Sequence, residues 1–223
     1  MKNKSRFLIC CICAVLWNIE AMQAQFQMDE GFYISLGGSY QTLGGDFDGE
    51  AVLVAPQDIF LVPEVEAALG IGAKVGFRAE NVALELSLMR GNHDVSWVGA
   101  QGEAILSLWS LSVQYYLFYD KPFQPFLQLG WSPVTALRVR DAAALVTTME
   151  VSDAIFISKI GNFNAGGGLA YYLSPKVFVH VTALYYRLSY GSIESEAERV
   201  AIELEEDLVA NEFNLQFGIA YTF

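Results

Sequence analysis

Residues 213–223 read FNLQFGIAYTF, and the alternation in this stretch decides the fold. Phe213, Leu215, Phe217, Ile219, Tyr221 and Phe223 fall on one face of an extended chain. Asn214, Gln216, Gly218, Ala220 and Thr222 fall on the other. A period of two is the mark of a strand. The second face carries no charge, whereas a strand open to bulk water normally presents Lys and Glu. Small uncharged polar side chains suit a narrow, hydrogen-bonded interior, with the large apolar ones turned to hydrocarbon.

Seven more segments of about this length repeat the pattern. The first, 31–41, sets Phe32, Ile34 and Leu36 against Tyr33, Ser35, Gly37 and Ser39. The others are 69–79, 81–90, 104–118, 123–132, 161–173 and 177–189. Within them Lys74, Arg78 and Glu85 fall on the polar face, with Gln114, Gln128, Asn164 and His180 in the same phase. Together with Asn214 and Gln216, these residues form the predicted polar network of the interior. A Lys or Arg turned to lipid at mid-depth would cost about 2–4 kcal/mol, so the inward phase of Lys74 and Arg78 is the physically sensible one. Arg90 and Arg187 fall on the outward face, at segment ends where a long side chain reaches lipid headgroups.

Connections alternate in length. Ala79 to Asn81, Tyr119 to Pro122 and Ser174 to Lys176 are tight turns rich in turn formers. The remaining four span 41–68, 91–103, 133–160 and 190–211. Short turns on one side and long loops on the other, with an even strand count, predict an all-β, eight-stranded antiparallel up-and-down transmembrane β-barrel whose short side is periplasmic. Some alternation persists in 143–156 and 198–205, so the hairpins are expected to continue as sheet above the membrane. Aromatics group near segment ends, Phe32 and Tyr221 below and Trp109 and Phe213 above, as two interfacial belts would. A soluble barrel of lipocalin type also alternates; the uncharged polar faces argue against it.

Bulk composition agrees. The chain is 53% hydrophobic and 17% charged, yet its longest apolar run, Phe7 to Trp17, is too short for a spanning helix of about 20 residues. With Lys2, Lys4 and Arg6 before it and Ala21 and Ala24 after it, that run reads as a signal peptide over 1–24, leaving 25–223 as the barrel domain. Cys10, Cys11 and Cys13 all lie inside the signal. The mature domain is then free of disulfides and thiolate sites. Its balance is 10 Lys+Arg against 24 Asp+Glu, which excludes ordinary nucleic-acid binding.

The terminal NLQFGIAYTF resembles the signal read by the outer-membrane assembly machinery, carried here by Phe217, Ile219, Tyr221 and Phe223. With the eight segments and the signal peptide, the chain resembles small outer-membrane barrels of the OmpA/OmpX/OmpW type. The resemblance implies a Gram-negative outer-membrane location, with outer-membrane lipids and lipopolysaccharide as surroundings. It also implies a role as structural barrel, adhesin or small-solute conduit. Loops 41–68 and 190–211 are the surfaces offered to an extracellular ligand. The former carries the apolar run VLVAPQDIFLVPEVEAAL, suited to dock a partner or fold over the barrel mouth.

Catalytic chemistry finds little support. His180, Thr182 and Glu194 imitate the spacing of lipid A deacylases, but Thr stands where that chemistry uses Ser and Ala183 where Asn is expected. His180 reads as a hydrogen-bonded lumen residue and His93 as a solvated loop residue. Two histidines and no mature cysteine give no metal spacing. The glycines of Asn164 to Gly168 make room in a crowded lumen, since no helix or P-loop lysine follows them. The acidic run Glu194 to Asp207 reads as a solvated tip. No cofactor is implied. The expectation is a non-enzymatic surface barrel serving envelope integrity or adhesion, with a narrow conduit as the alternative and lipid A modification a more distant one.

Overall fold

A computed structural model describes residues 30–49, 51–55, 58–97, 100–140, 153–159, 161–195 and 201–223. The signal segment 1–24 lies outside these, as do Glu196 and Glu198. The described chain is all strand: β1 (Gly31–Gly45), β2 (Ala51–Ala55), β3 (Asp58–Leu61), β4 (Glu64–Val65), β5 (Ala68–Ala79) and β6 (Val82–Trp97). There follow β7 (Ala100–Tyr116), β8 (Phe123–Arg140), β9 (Asp153–Ser158), β10 (Asn162–Tyr172), β11 (Val177–Ser195) and β12 (Ala201–Thr222).

Eight of these close a ring in the order β1-β5-β6-β7-β8-β10-β11-β12, every pair antiparallel. The seam joins the first and last: Tyr33 pairs with Thr222 and Gln41 with Asn214. Closure satisfies the backbone of both, which an open edge in hydrocarbon could not. Two of the short strands lengthen a stave. β4 pairs with β6 above β5, and β9 pairs with both β8 and β11 above β10. β2 and β3 form a separate hairpin.

The predicted phase holds at each of the eight segments. Phe217 is 52% exposed, Leu86 47% and Val179 36%, all on the outside. Ser35, Lys74, Gln114, Asn164 and Gln216 are buried inside. Phe32, Phe77 and Tyr221 stand exposed near the turn side, and Tyr40, Trp109 and Phe213 near the other. The turn-side connections are short, and one places Glu80 at φ 49° in the left-handed region.

The hairpins continue as sheet beyond the eight alternating segments, as expected: β6, β7, β11 and β12 run well past them. One expectation is corrected: the interior is not polar throughout. Its loop-side half is an apolar core in which Leu106, Leu108, Leu137, Leu188, Tyr190 and Leu208 meet. Phe47, Val62 and Val65, from the connection after β1, pack into the same core, so both limbs of this connection are anchored in it.

Leu86 faces outward on β6, between Val75 and Leu111 of the neighbouring strands, at what a membrane-spanning barrel would place near mid-depth. Leu86→Arg is expected to cost about 2–4 kcal/mol of unfolding free energy in lipid vesicles, read by denaturant titration. A loss below about 1 kcal/mol, the value typical of interfacial positions, would mean that Leu86 does not face acyl chains.

Candidate functional site

The interior is the candidate site, and it is built in levels. At the turn-side floor, Arg78 ends β5 just before its turn. Its guanidinium lies 3.8 Å over the Tyr116 ring and donates to Tyr172 Oη, to Gln124 Oε1 at 2.6 Å and to the Glu80 carbonyl at 3.0 Å. Tyr172 stacks on Phe178 at 4.8 Å. Tyr116 donates to Gln114 Oε1 at 2.8 Å, and Gln114 Nε2 donates to Gln128 Oε1 at 3.0 Å.

One step higher, Lys74 Nζ and Glu85 Oε1 form a charge contact of 3.1 Å, both side chains almost wholly buried. Tyr33 donates to Glu85 Oε2 at 2.9 Å. Gly76, cross-strand from both Tyr33 and Glu85, makes room for that tyrosine; a Cβ there would overlap its ring. His180 Nε2 lies 2.8 Å from Ser35 Oγ. Around the middle, Asn164 Nδ2 donates to Ser110 Oγ at 2.8 Å, and Asn214 Nδ2 donates to Glu212 Oε1 at 2.9 Å. Thr135 Oγ1, Thr182 Oγ1 and the Gln216 amide meet no hydrogen-bond partner among the described residues. Buried groups of this kind are ordinarily satisfied by internal water.

His93 corrects the expectation of a solvated loop residue. It lies on β6, is 1% exposed, and its Nδ1 is 2.8 Å from the Glu66 carbonyl and its Nε2 3.3 Å from Gln41 Oε1. It thereby ties the returning limb of the first connection to the barrel wall. Burial lowers its pKa, against the opposing pull of the Glu66 carbonyl and Asp94. Above it Phe47, Phe156 and Tyr190 close the mouth edge to face, at 5.3 Å and 5.5 Å from Phe47.

The other predicted residues fall as follows. Arg90 and Arg187 are exposed on β6 and β11, cross-strand from Ile71 and Phe163 respectively. Phe217, Ile219, Tyr221 and Phe223 line the outer face of the last strand. His180 and Thr182 share the inner face, but Glu194 is exposed far along the same strand, so no catalytic grouping forms. Of the acidic run, Asp207 is engaged. It binds Lys159 Nζ at 2.6 Å and accepts from Ser189 Oγ at 2.9 Å. The bond from Lys159 holds its carboxyl below the usual range, though an exposed pair of this kind contributes little. Among the described residues no group of three or more His, Cys, Asp or Glu could hold a metal ion.

The sequence pattern missed Tyr33, Tyr172, Gln124 and Glu212. The alternation puts Tyr33 on the inner face but gives no sign of its bond to Glu85. Glu212 lies in phase with Asn214 and Gln216, and following that phase one step back would have found it.

No protein-family model and no curated protein matches this sequence. Solved structures do match its fold. Neisserial surface protein A aligns with a TM-score of 0.54 at 12% identity, covering 87% of this chain and 98% of that one. The outer-membrane protein OprG from Pseudomonas aeruginosa aligns at 0.53 and 16% identity, covering 88% and 97%. The fold is thus that of the small eight-stranded outer-membrane β-barrels.

Proposed function

We propose that this chain is an integral barrel of the Gram-negative outer membrane, exported by its N-terminal signal, non-enzymatic and sealed. Its task on this reading is to hold a rigid β-platform at the cell surface for envelope integrity or adhesion. The observation that carries the proposal is the packing of large side chains across the interior at two levels among the described residues. Arg78, Tyr116 and Tyr172 pack together at the turn-side end, and Phe47, Phe156 and Tyr190 pack together toward the loop side. A cavity beside Lys74, His180 and Gln216 measures only about 10 Å³, room for about one water. An eight-stranded ring is just wide enough for side chains to fill it, which disfavours the conduit reading.

The platform presents Asp94, Glu103, Glu194, Glu203 and Glu206 to solvent, so a surface partner would bring cationic groups or bridging divalent ions. Arg90 and Arg187 would meet lipopolysaccharide phosphates at the belt. Phe217, Ile219, Tyr221 and Phe223 would serve the assembly machinery before the lipid covers them.

The test joins two measurements. Sucrose-gradient fractionation is expected to place the protein in the outer-membrane fraction, with faster gel migration before heating than after. The purified barrel in planar bilayers is expected to show no steady conductance. Defined single-channel steps would replace the sealed barrel with the conduit, and recovery in the soluble periplasm would remove the membrane reading altogether.

A further inference from the structure

On the outer side of the wall, β10, β11, β12 and β1 leave a hollow of about 550 Å³. Gly37, Gly38 and Gly218 put backbone in its bed. The Phe217 ring lies against Gly38, where a Cβ would come within 2.7 Å of it. Leu36, Leu169, Val181 and Ile219 form the banks. Almost all of the lining is carbon. The polar side chains are Tyr171, toward the turn, and His180, which lies behind Gly218 and is held from within by Ser35. The size is that of pockets that hold small molecules, roughly 300–1,000 Å³.

Depth selects the occupant. Tyr171 and Val179, at one end of the hollow, lie close to the short turn 173–176, and Val181 and Phe217 lie nearer mid-strand. The hollow therefore belongs to the periplasmic half of the wall, where phospholipid and not lipopolysaccharide fills the leaflet. A void in hydrocarbon forfeits dispersion contacts. A chain lying between these banks touches protein on several sides, while one on the even wall touches it on one.

We propose that this hollow retains one acyl chain of a periplasmic-leaflet phospholipid, an inference that rests on the outer-membrane reading above. The experiment is native mass spectrometry of the full-length barrel extracted in mild detergent. One phospholipid is expected on the wild-type barrel and on Leu111→Phe, which alters the outward face of β7. Val181→Phe, which fills the hollow, is expected to carry about tenfold less, the factor for losing contact with roughly two methylenes. No lipid on the wild type, equal retention by Val181→Phe, or a pair of barrels where the lipid complex should appear would each overturn the proposal. Heat-modifiable migration confirms that each variant is folded. The same count is made on barrels refolded into phosphatidylethanolamine–phosphatidylglycerol vesicles, so a wrong cellular location and an unoccupied hollow give different results.

Discussion

Lys74→Met is expected to lower the unfolding free energy by about 3–5 kcal/mol, the cost of leaving one member of a buried ion pair without the other. The side chains of Lys74 and Glu85 are 5% and 4% exposed and 3.1 Å apart, so neither charge can turn to water when its partner is removed. Arg78 is the nearest alternative cation along β5, but it is engaged by Tyr172, Gln124, the Glu80 carbonyl and the Tyr116 ring. Reaching Glu85 would cost it those contacts. Tyr33 still donates to Glu85, which eases the stranded carboxylate without neutralising it. The double variant Lys74→Met/Glu85→Gln removes both charges and keeps an acceptor for Tyr33. It is expected to recover most of the loss, since replacing a whole buried pair is often close to neutral. Denaturant titration of Lys74→Met, of Glu85→Gln and of the double variant gives the coupling energy. A single variant within about 1 kcal/mol of wild type, as for an exposed pair, would show that water reaches this level of the lumen.

The sequence pattern was readable in the turn-side half of the barrel and became misleading in the loop-side half, for one physical reason. In the turn-side half the outward side chains are apolar and the inward ones polar. In the loop-side half the interior is an apolar core, so the same strand inverts its pattern, as the proposed change from lipid to water outside would require. On β12 the apolar set moves from Phe213, Leu215 and Phe217 outside to Ala210, Leu208 and Leu204 inside. On β6 it moves from Leu84, Leu86 and Leu88 outside to Met89 and Val95 inside, with Asn92 and Asp94 now outward. A reader following period two sees the alternation slip by one and takes it for the end of the strand. His93 and Glu212 both stand near that slip, which is why one was assigned to a loop and the other missed. β8 adds a backbone cause, a register shift opposite Trp109 to Leu111. It falls beside Pro133, a residue without an N–H for the ladder, and it turns Thr135, Leu137 and Val139 inward.

If the loop-side extension is a core in its own right, Phe156→Ala should loosen it while sparing the membrane ring. Phe156 is fully buried, and its ring meets those of Phe47 at 5.3 Å and Tyr190 at 6.3 Å. Truncating such a ring costs about 3–5 kcal/mol in transfer and cavity terms. The strand that carries it, β9, is short and pairs, among the described residues, with β8 and β11, so the loss should appear as local opening and not global unfolding. Hydrogen exchange of the folded barrel is the measurement. Amides of β9 and of the facing residues 136–140 and 190–195 should exchange faster by about two to four orders of magnitude, the factor that this energy implies. Those of 163–172, inside the lipid belt, should hold their rates, and heat-modifiable migration should persist. Acceleration spread evenly over all eight staves would mean that platform and ring unfold as one body, with the apolar mouth setting the stability of the part in the membrane. Unchanged rates at β9 would mean that the three rings are not what fastens the first connection and β9 over the mouth, and the sealed-barrel reading would then rest on the Arg78 floor alone.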